Sequence, residues 1–127
     1  MMISTLLLGS LLCVCAMAQS GPGAVPLACN AKAITTAERP RYKALVAELK
    51  AAVREKRELP DGYSFRLDNG VVSLQNVAEW MGMERRCCPF LTSQLETSGS
   101  RSDSWLTLKG PAGVKALLDA ELAFQPK

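Results

Sequence analysis

Pro89 follows two adjacent cysteines, Cys87 and Cys88, and no other residue constrains the fold as tightly. Proline disfavours helical backbone at the residue before it, so a helix arriving here has to stop at Cys88. Ser73 is a good cap upstream, and the spacing between the two predicts a helix from Ser73 to about Cys88. Leu74, Val77, Ala78 and Met81 are expected on its inner face, and Gly82 weakens it. Neighbouring residues on a helix stand about a hundred degrees apart. Cys88 should therefore point inward with Val77 and Met81, and Cys87 should lie on a more accessible flank in line with Trp80. Arg85 lands near the inner face, a broken pattern beside the two sulfurs.

The rest of the chain divides around this helix. Leu6 to Ala18 is apolar, uncharged and ends in Ala16-Met17-Ala18, the pattern of a cleaved signal peptide, although Met1 to Thr5 has no basic residue. The run is short for a permanent span, and the expectation is an exported protein, periplasmic or secreted. Residues 1–18 are read as the signal, 19–28 as a flexible leader rich in Gly and Pro, and 29–127 as one domain.

Thr35 and Glu38 have capping-box spacing, and Tyr42, Leu45, Val46, Leu49 and Val53 follow as one helical stripe. Lys43, Lys50, Arg54 and Arg57 run beside it, read as a solvated face or, more sharply, as a surface for an acidic partner or anionic lipid. Pro60-Asp61-Gly62 marks a turn, preceded by a weak strand at Lys56 to Leu59 and followed by Tyr63, Phe65 and Leu67 in strand alternation. Leu91 to Thr97 and Ser104 to Lys109 make a second hairpin, and Gly110-Pro111 opens a last helix with Val114, Leu117, Leu118 and Leu122 inward. The predicted fold class is α+β, a two-layer domain in the order α-ββ-α-ββ-α. Two hairpins form an antiparallel sheet, covered by about three helices.

The chemistry available is narrow. There is no histidine, which excludes Ser-His-Asp and Cys-His catalysis, and the chain has neither a phosphate loop nor an acidic metal loop. A formal charge of +3 is too mild to argue for nucleic acid. Once Cys13 and Cys15 leave with the signal, Cys29, Cys87 and Cys88 remain, an odd number. Adjacent cysteines close on each other only with strain, but they can offer two sulfurs to one soft ion. Three thiolates suit Hg(II), Cu(I) or As(III) better than a four-ligand zinc site. Arg85 and Arg86 would favour thiolate, and the negative helix end opposes them. Glu84 can orient Arg85 or act as an acid, though a lone helical glutamate is usually a surface charge. Trp80 and Trp105 read as core or rim aromatics.

The stretch Glu84-Arg85-Arg86-Cys87-Cys88-Pro89-Phe90 resembles the ERxCCPF signature of small, largely uncharacterised bacterial proteins, some encoded near mercury-resistance genes. The likeness extends to the start at Leu27-Ala28-Cys29, the Leu59-Pro60-Asp61-Gly62-Tyr63 turn, and Leu106-Thr107-Leu108 with Gly110-Pro111 and Gly113-Val114-Lys115. Here Ser93 stands where that family has an aromatic residue. The resemblance implies that Cys29, Cys87 and Cys88 belong together and that a soft-metal role fits them.

Three readings follow. The first is a soft-metal binder using Cys29, Cys87 and Cys88, with Trp80, Glu84, Arg85 and Arg86 in support, taking a metal ion or a small thiol-reactive ligand. The second is a thiol-disulfide redox protein in which Cys87 attacks and Cys29 or Cys88 resolves. The third is an interaction module held by a Cys29–Cys87 disulfide, with Cys88 as a small core residue. None assigns a catalytic residue or an organic cofactor. Enzymatic activity and oligomeric state stay open.

Overall fold

The computed structural model describes residues 27–127. The proposed signal and most of the leader, with Cys13 and Cys15, lie outside the described residues. A short 3-10 turn, Ala31–Ala33, leads into helix α1 (Arg39–Ala52). Strands β1 (Val53–Leu59) and β2 (Gly62–Asp68) form the first hairpin. Helix α2 (Leu74–Cys87), strands β3 (Thr92–Thr97) and β4 (Asp103–Lys109), and helix α3 (Val114–Glu121) complete the chain. The four strands make one antiparallel sheet in the order β1-β2-β4-β3, an α+β domain as the alternation predicted.

Register explains the core. Tyr63 pairs with Leu108, Phe65 with Leu106 and Leu67 with Ser104, so one face of the two central strands is buried under the helices. Ser64, Arg66, Trp105 and Thr107 alternate onto the other face. Leu45 and Leu49 of α1, Val77 and Trp80 of α2, and Val114 and Leu118 of α3 close over the buried face, with Phe124 edge-on to Phe65 at 5.3 Å. The inner side of β1 is charged because it lies at the sheet edge. There Lys56 sits over the Tyr63 ring and reaches Asp119 at 3.4 Å, and Lys115 pairs with Glu58. Among the described residues, no helix is long and apolar enough to cross a membrane.

Local signals account for most boundaries. Thr35 and Glu38 form the reciprocal capping box, N–H to carboxylate at 3.0 Å and N–H to hydroxyl at 3.2 Å. Ser73 Oγ accepts from Asn76 N–H at 3.1 Å and starts α2. Gly62 opens β2 so close to β4 that a Cβ there would collide with the Leu108 carbonyl. Gly113, at φ 93°, caps α3, which begins beyond the expected Gly110-Pro111 start.

Two expectations about faces need correction. Helix α1 ends at Ala52, so Arg54 and Arg57 lie on β1 and the supposed basic row of Lys43, Lys50, Arg54 and Arg57 is not one helix face. Helix α2 is turned from the predicted side. Its buried residues are Val77, Trp80, Glu84 and Cys87, while Leu74 and Ala78 are exposed and Met81 is half-buried. The indole of Trp80 decides this: it is the largest side chain of the helix and lies fully buried, 6.1 Å from Phe124.

Candidate metal centre

The end of α2 meets the segment before α1. Cys88 N–H makes the last helical bond, to Glu84 C=O at 2.8 Å, and Cys88 leaves helical geometry at Pro89. One turn of helix leaves carbonyls without partners. Asn30 N–H supplies one, to Cys87 C=O at 2.7 Å. That bond pins the start of the domain across the helix end and brings Cys29 to Cys88, where the two form a disulfide with Cα atoms 4.8 Å apart. The third reading, a disulfide-held module, expected Cys87 as the partner of Cys29. The structure pairs Cys88 instead, and Ile34 packs with both Cys87 and Cys88.

Cys87 is the free cysteine among the described residues. It was expected to be the more accessible of the pair, yet both are buried, 4% and 2% exposed. Its thiol lies 3.7 Å from Cys88 Sγ, and since Cys88 is bridged, Cys87 is the donor of that contact. Glu84, one turn earlier, is 2% exposed, which overturns its reading as a surface charge. Its carboxylate accepts from the Tyr42 hydroxyl at 2.8 Å, a contact across 42 residues of chain that fixes it inward.

The electrostatics run against the expected thiolate. Arg86 is spent on Glu38, at 3.0 Å, and Arg85 is exposed, so neither guanidinium faces the sulfurs. Burial and then the Glu84 carboxylate push the Cys87 thiol up to about 11 from an ordinary 9.0. Burial likewise raises Glu84 above the usual carboxylate range, despite the Tyr42 hydrogen bond. Tyr42 is raised too, by burial first and then by Glu84. Trp80 Nε1 is buried beside this group with no hydrogen-bond partner.

The Sγ atoms of Cys29, Cys87 and Cys88 and a carboxylate oxygen of Glu84 all lie within 4.8 Å of one another. Four soft and hard donors this close can hold a metal ion once the disulfide is open. No protein-family model, curated protein or solved structure matches this chain. The donor geometry therefore carries the functional argument alone. It brings together Cys29, Cys87 and Cys88 as expected, promotes Glu84 from support to candidate ligand, and leaves Arg85 and Arg86 outside. Trp80 lies in the core, one of the two places expected for it. Glu84 was harder to find in sequence: the only signal was its place one turn before Cys87 and Cys88, on the face that Trp80 buries.

A pocket of about 330 Å³ opens onto the cluster. Cys29, Cys87 and Glu84 line its inner end, Ile34, Val46 and Leu122 its apolar walls, and Arg39, Lys43 and Glu121 also border it.

Proposed function

We propose that this protein binds one soft, thiophilic metal ion, of the Hg(II), Cu(I) or As(III) kind, through Cys29, Cys87 and Cys88, with Glu84 beside them. The reading rests on one observation: three sulfurs and a carboxylate oxygen within 4.8 Å of one another. In the oxidised form two of those sulfurs are bonded to each other, so binding follows reduction. An arriving cation inverts the local electrostatics. The environment that keeps Cys87 a neutral thiol and raises Glu84 is relieved when a positive ion takes the place of the thiol proton, which is released to solvent. The ERxCCPF resemblance and its mercury-resistance neighbours support the same ion class. The apolar Leu6 to Ala18 run ending in Ala16-Met17-Ala18 supports export, and a disulfide suits an oxidising compartment.

The test is a titration of phosphine-reduced protein with Hg(II) against a competing small dithiol, following the ultraviolet sulfur-to-metal band. One equivalent should bind, more tightly than to the dithiol. Cys29→Ser, Cys87→Ser and Cys88→Ser should each weaken it greatly, with non-additive losses. Affinity should fall as pH drops, because protons compete for the sulfurs. An affinity no better than the dithiol, or an unchanged Cys29→Ser, overturns the three-sulfur site.

A second reading is thiol-disulfide exchange, favoured by the 3.7 Å approach of Cys87 to Cys88. Attack there would join adjacent residues in a strained bridge and free Cys29. The raised Cys87 pKa leaves little thiolate to start it, which places this reading second.

A further inference from the structure

We propose that the pocket beside the cluster is the entry site for a small thiol bearing carboxylates, which opens the Cys29–Cys88 disulfide by attack on the sulfur of Cys29. The proposal rests on the soft-metal reading and adds how the three-sulfur site is released.

Three observations carry it. First, the disulfide is asymmetric in access. Cys29 is half-buried and lines the pocket, whereas Cys88 is 2% exposed and does not. Second, the third thiol cannot reduce the bridge from within: attack by Cys87 on Cys88 gives the strained bond between neighbours, attack on Cys29 gives Cys29–Cys87, and either exchange leaves one disulfide among the three sulfurs. The reductant has to come from outside. Third, the pocket selects charge. Arg39 and Lys43 border it from the first turns of α1, are exposed, and form no ion pair among the described residues. Glu121 opposes them as an exposed anion, and Glu84 lies buried at the inner end. Two cations against one anion at the border favour a ligand that carries carboxylates. The apolar walls of Ile34, Val46 and Leu122 accept the carbon chain that carries its sulfur inward.

The electrons balance with two equivalents of thiol. The thiolate of the first attacks Cys29 Sγ, forming a mixed disulfide, and Cys88 leaves as thiolate and takes up a proton. The thiolate of the second attacks the sulfur of the bound small thiol. Its disulfide departs, and Cys29 leaves as thiolate. The small thiol is oxidised, and the Cys29–Cys88 pair is reduced.

The test uses the oxidised, full-length protein with three probes: glutathione, the neutral 2-mercaptoethanol and the cationic cysteamine. Early time points are quenched in acid, alkylated and mapped by mass spectrometry. The expected adduct is on Cys29, with Cys88 alkylated. The charge-reversed pair Arg39→Glu with Lys43→Glu should slow glutathione about tenfold, leave 2-mercaptoethanol unchanged and speed cysteamine. The thermal midpoint of that variant shows that it folds. A first adduct on Cys88 or Cys87, or equal slowing of glutathione and 2-mercaptoethanol, overturns the proposal. Hg(II) titration of phosphine-reduced wild type tests the metal reading separately, because it bypasses the thiol step.

Discussion

Burial and the Glu84 carboxylate make the Cys87 thiol harder to ionise, while burial raises Glu84 against the hydrogen bonds from Tyr42 and Cys87, and this pair is the least ordinary chemistry in the chain. The raised thiol has a consequence for stability. A group whose folded pKa exceeds its unfolded value keeps the fold's advantage below the unfolded value and loses it as pH rises through the folded one. For Cys87 the window runs from 9.0 to about 11. Urea midpoints should therefore fall between pH 8.5 and pH 10.5 by more in wild type than in Cys87→Ala, where this thiol is missing; equal falls would refute the shift. Replacing Glu84 by Gln removes the carboxylate while leaving a carbonyl for Tyr42. The Cys87 thiol should then titrate lower, read from the pH dependence of its 240 nm absorbance. Tyr42→Phe instead takes the hydroxyl from a buried carboxylate, and unfolding free energy should drop by roughly 1–3 kcal/mol. Beyond the place of Glu84 one turn before the cysteines, little of this was visible in sequence, because its partner Tyr42 is 42 residues away.

At the scale of elements, most boundaries and the inner faces of α1, β2 and α3 were readable, and the face of α2 was not. Ser73 and Pro89 bracket α2, and Thr35 with Glu38 start α1, because caps and prolines act on the adjacent backbone. Thr35→Ala should cost about 1 kcal/mol in unfolding free energy, measured by urea denaturation. The rotation of α2 is a tertiary matter. Leu74, Ala78 and Met81 are apolar, but the indole of Trp80 has more surface to hide and turns the helix its way. The hairpins were legible from Pro60-Asp61-Gly62 and from strand alternation, apart from β1, whose inner face carries Lys56 and Glu58. Those charges broke the alternation, and their partners Asp119 and Lys115 come only with α3. Gly62→Ala should destabilise the sheet by roughly 1–3 kcal/mol, since β4 backbone occupies the space a Cβ needs.

For the whole molecule, Cys29–Cys88 joins residues 59 apart, from the start of the domain to the end of its central helix. The pairing could not be read from spacing, because it depends on where the segment before α1 comes to rest. Asn30 on Cys87 C=O and Ile34 over the sulfurs decide that. A loop of this length gives a disulfide about 4 kcal/mol of chain-entropy stabilisation in the simplest account. A metal ion held by Cys29, Cys87 and Cys88 would tie the same two points of the chain. Reduction should thus lower the thermal midpoint, and one equivalent of Hg(II) should restore it, since an ion that binds the folded state at 1,000 times its Kd adds about 4 kcal/mol. Cys87→Ser separates the two staples. It leaves the disulfide intact, so the oxidised midpoint should stay close to wild type, while recovery by Hg(II) after reduction should be largely lost. Calorimetry of oxidised, reduced and Hg(II)-loaded forms of both proteins decides the matter. Full recovery in Cys87→Ser would mean that the ion bridges Cys29 and Cys88 alone, and that the third sulfur has another purpose.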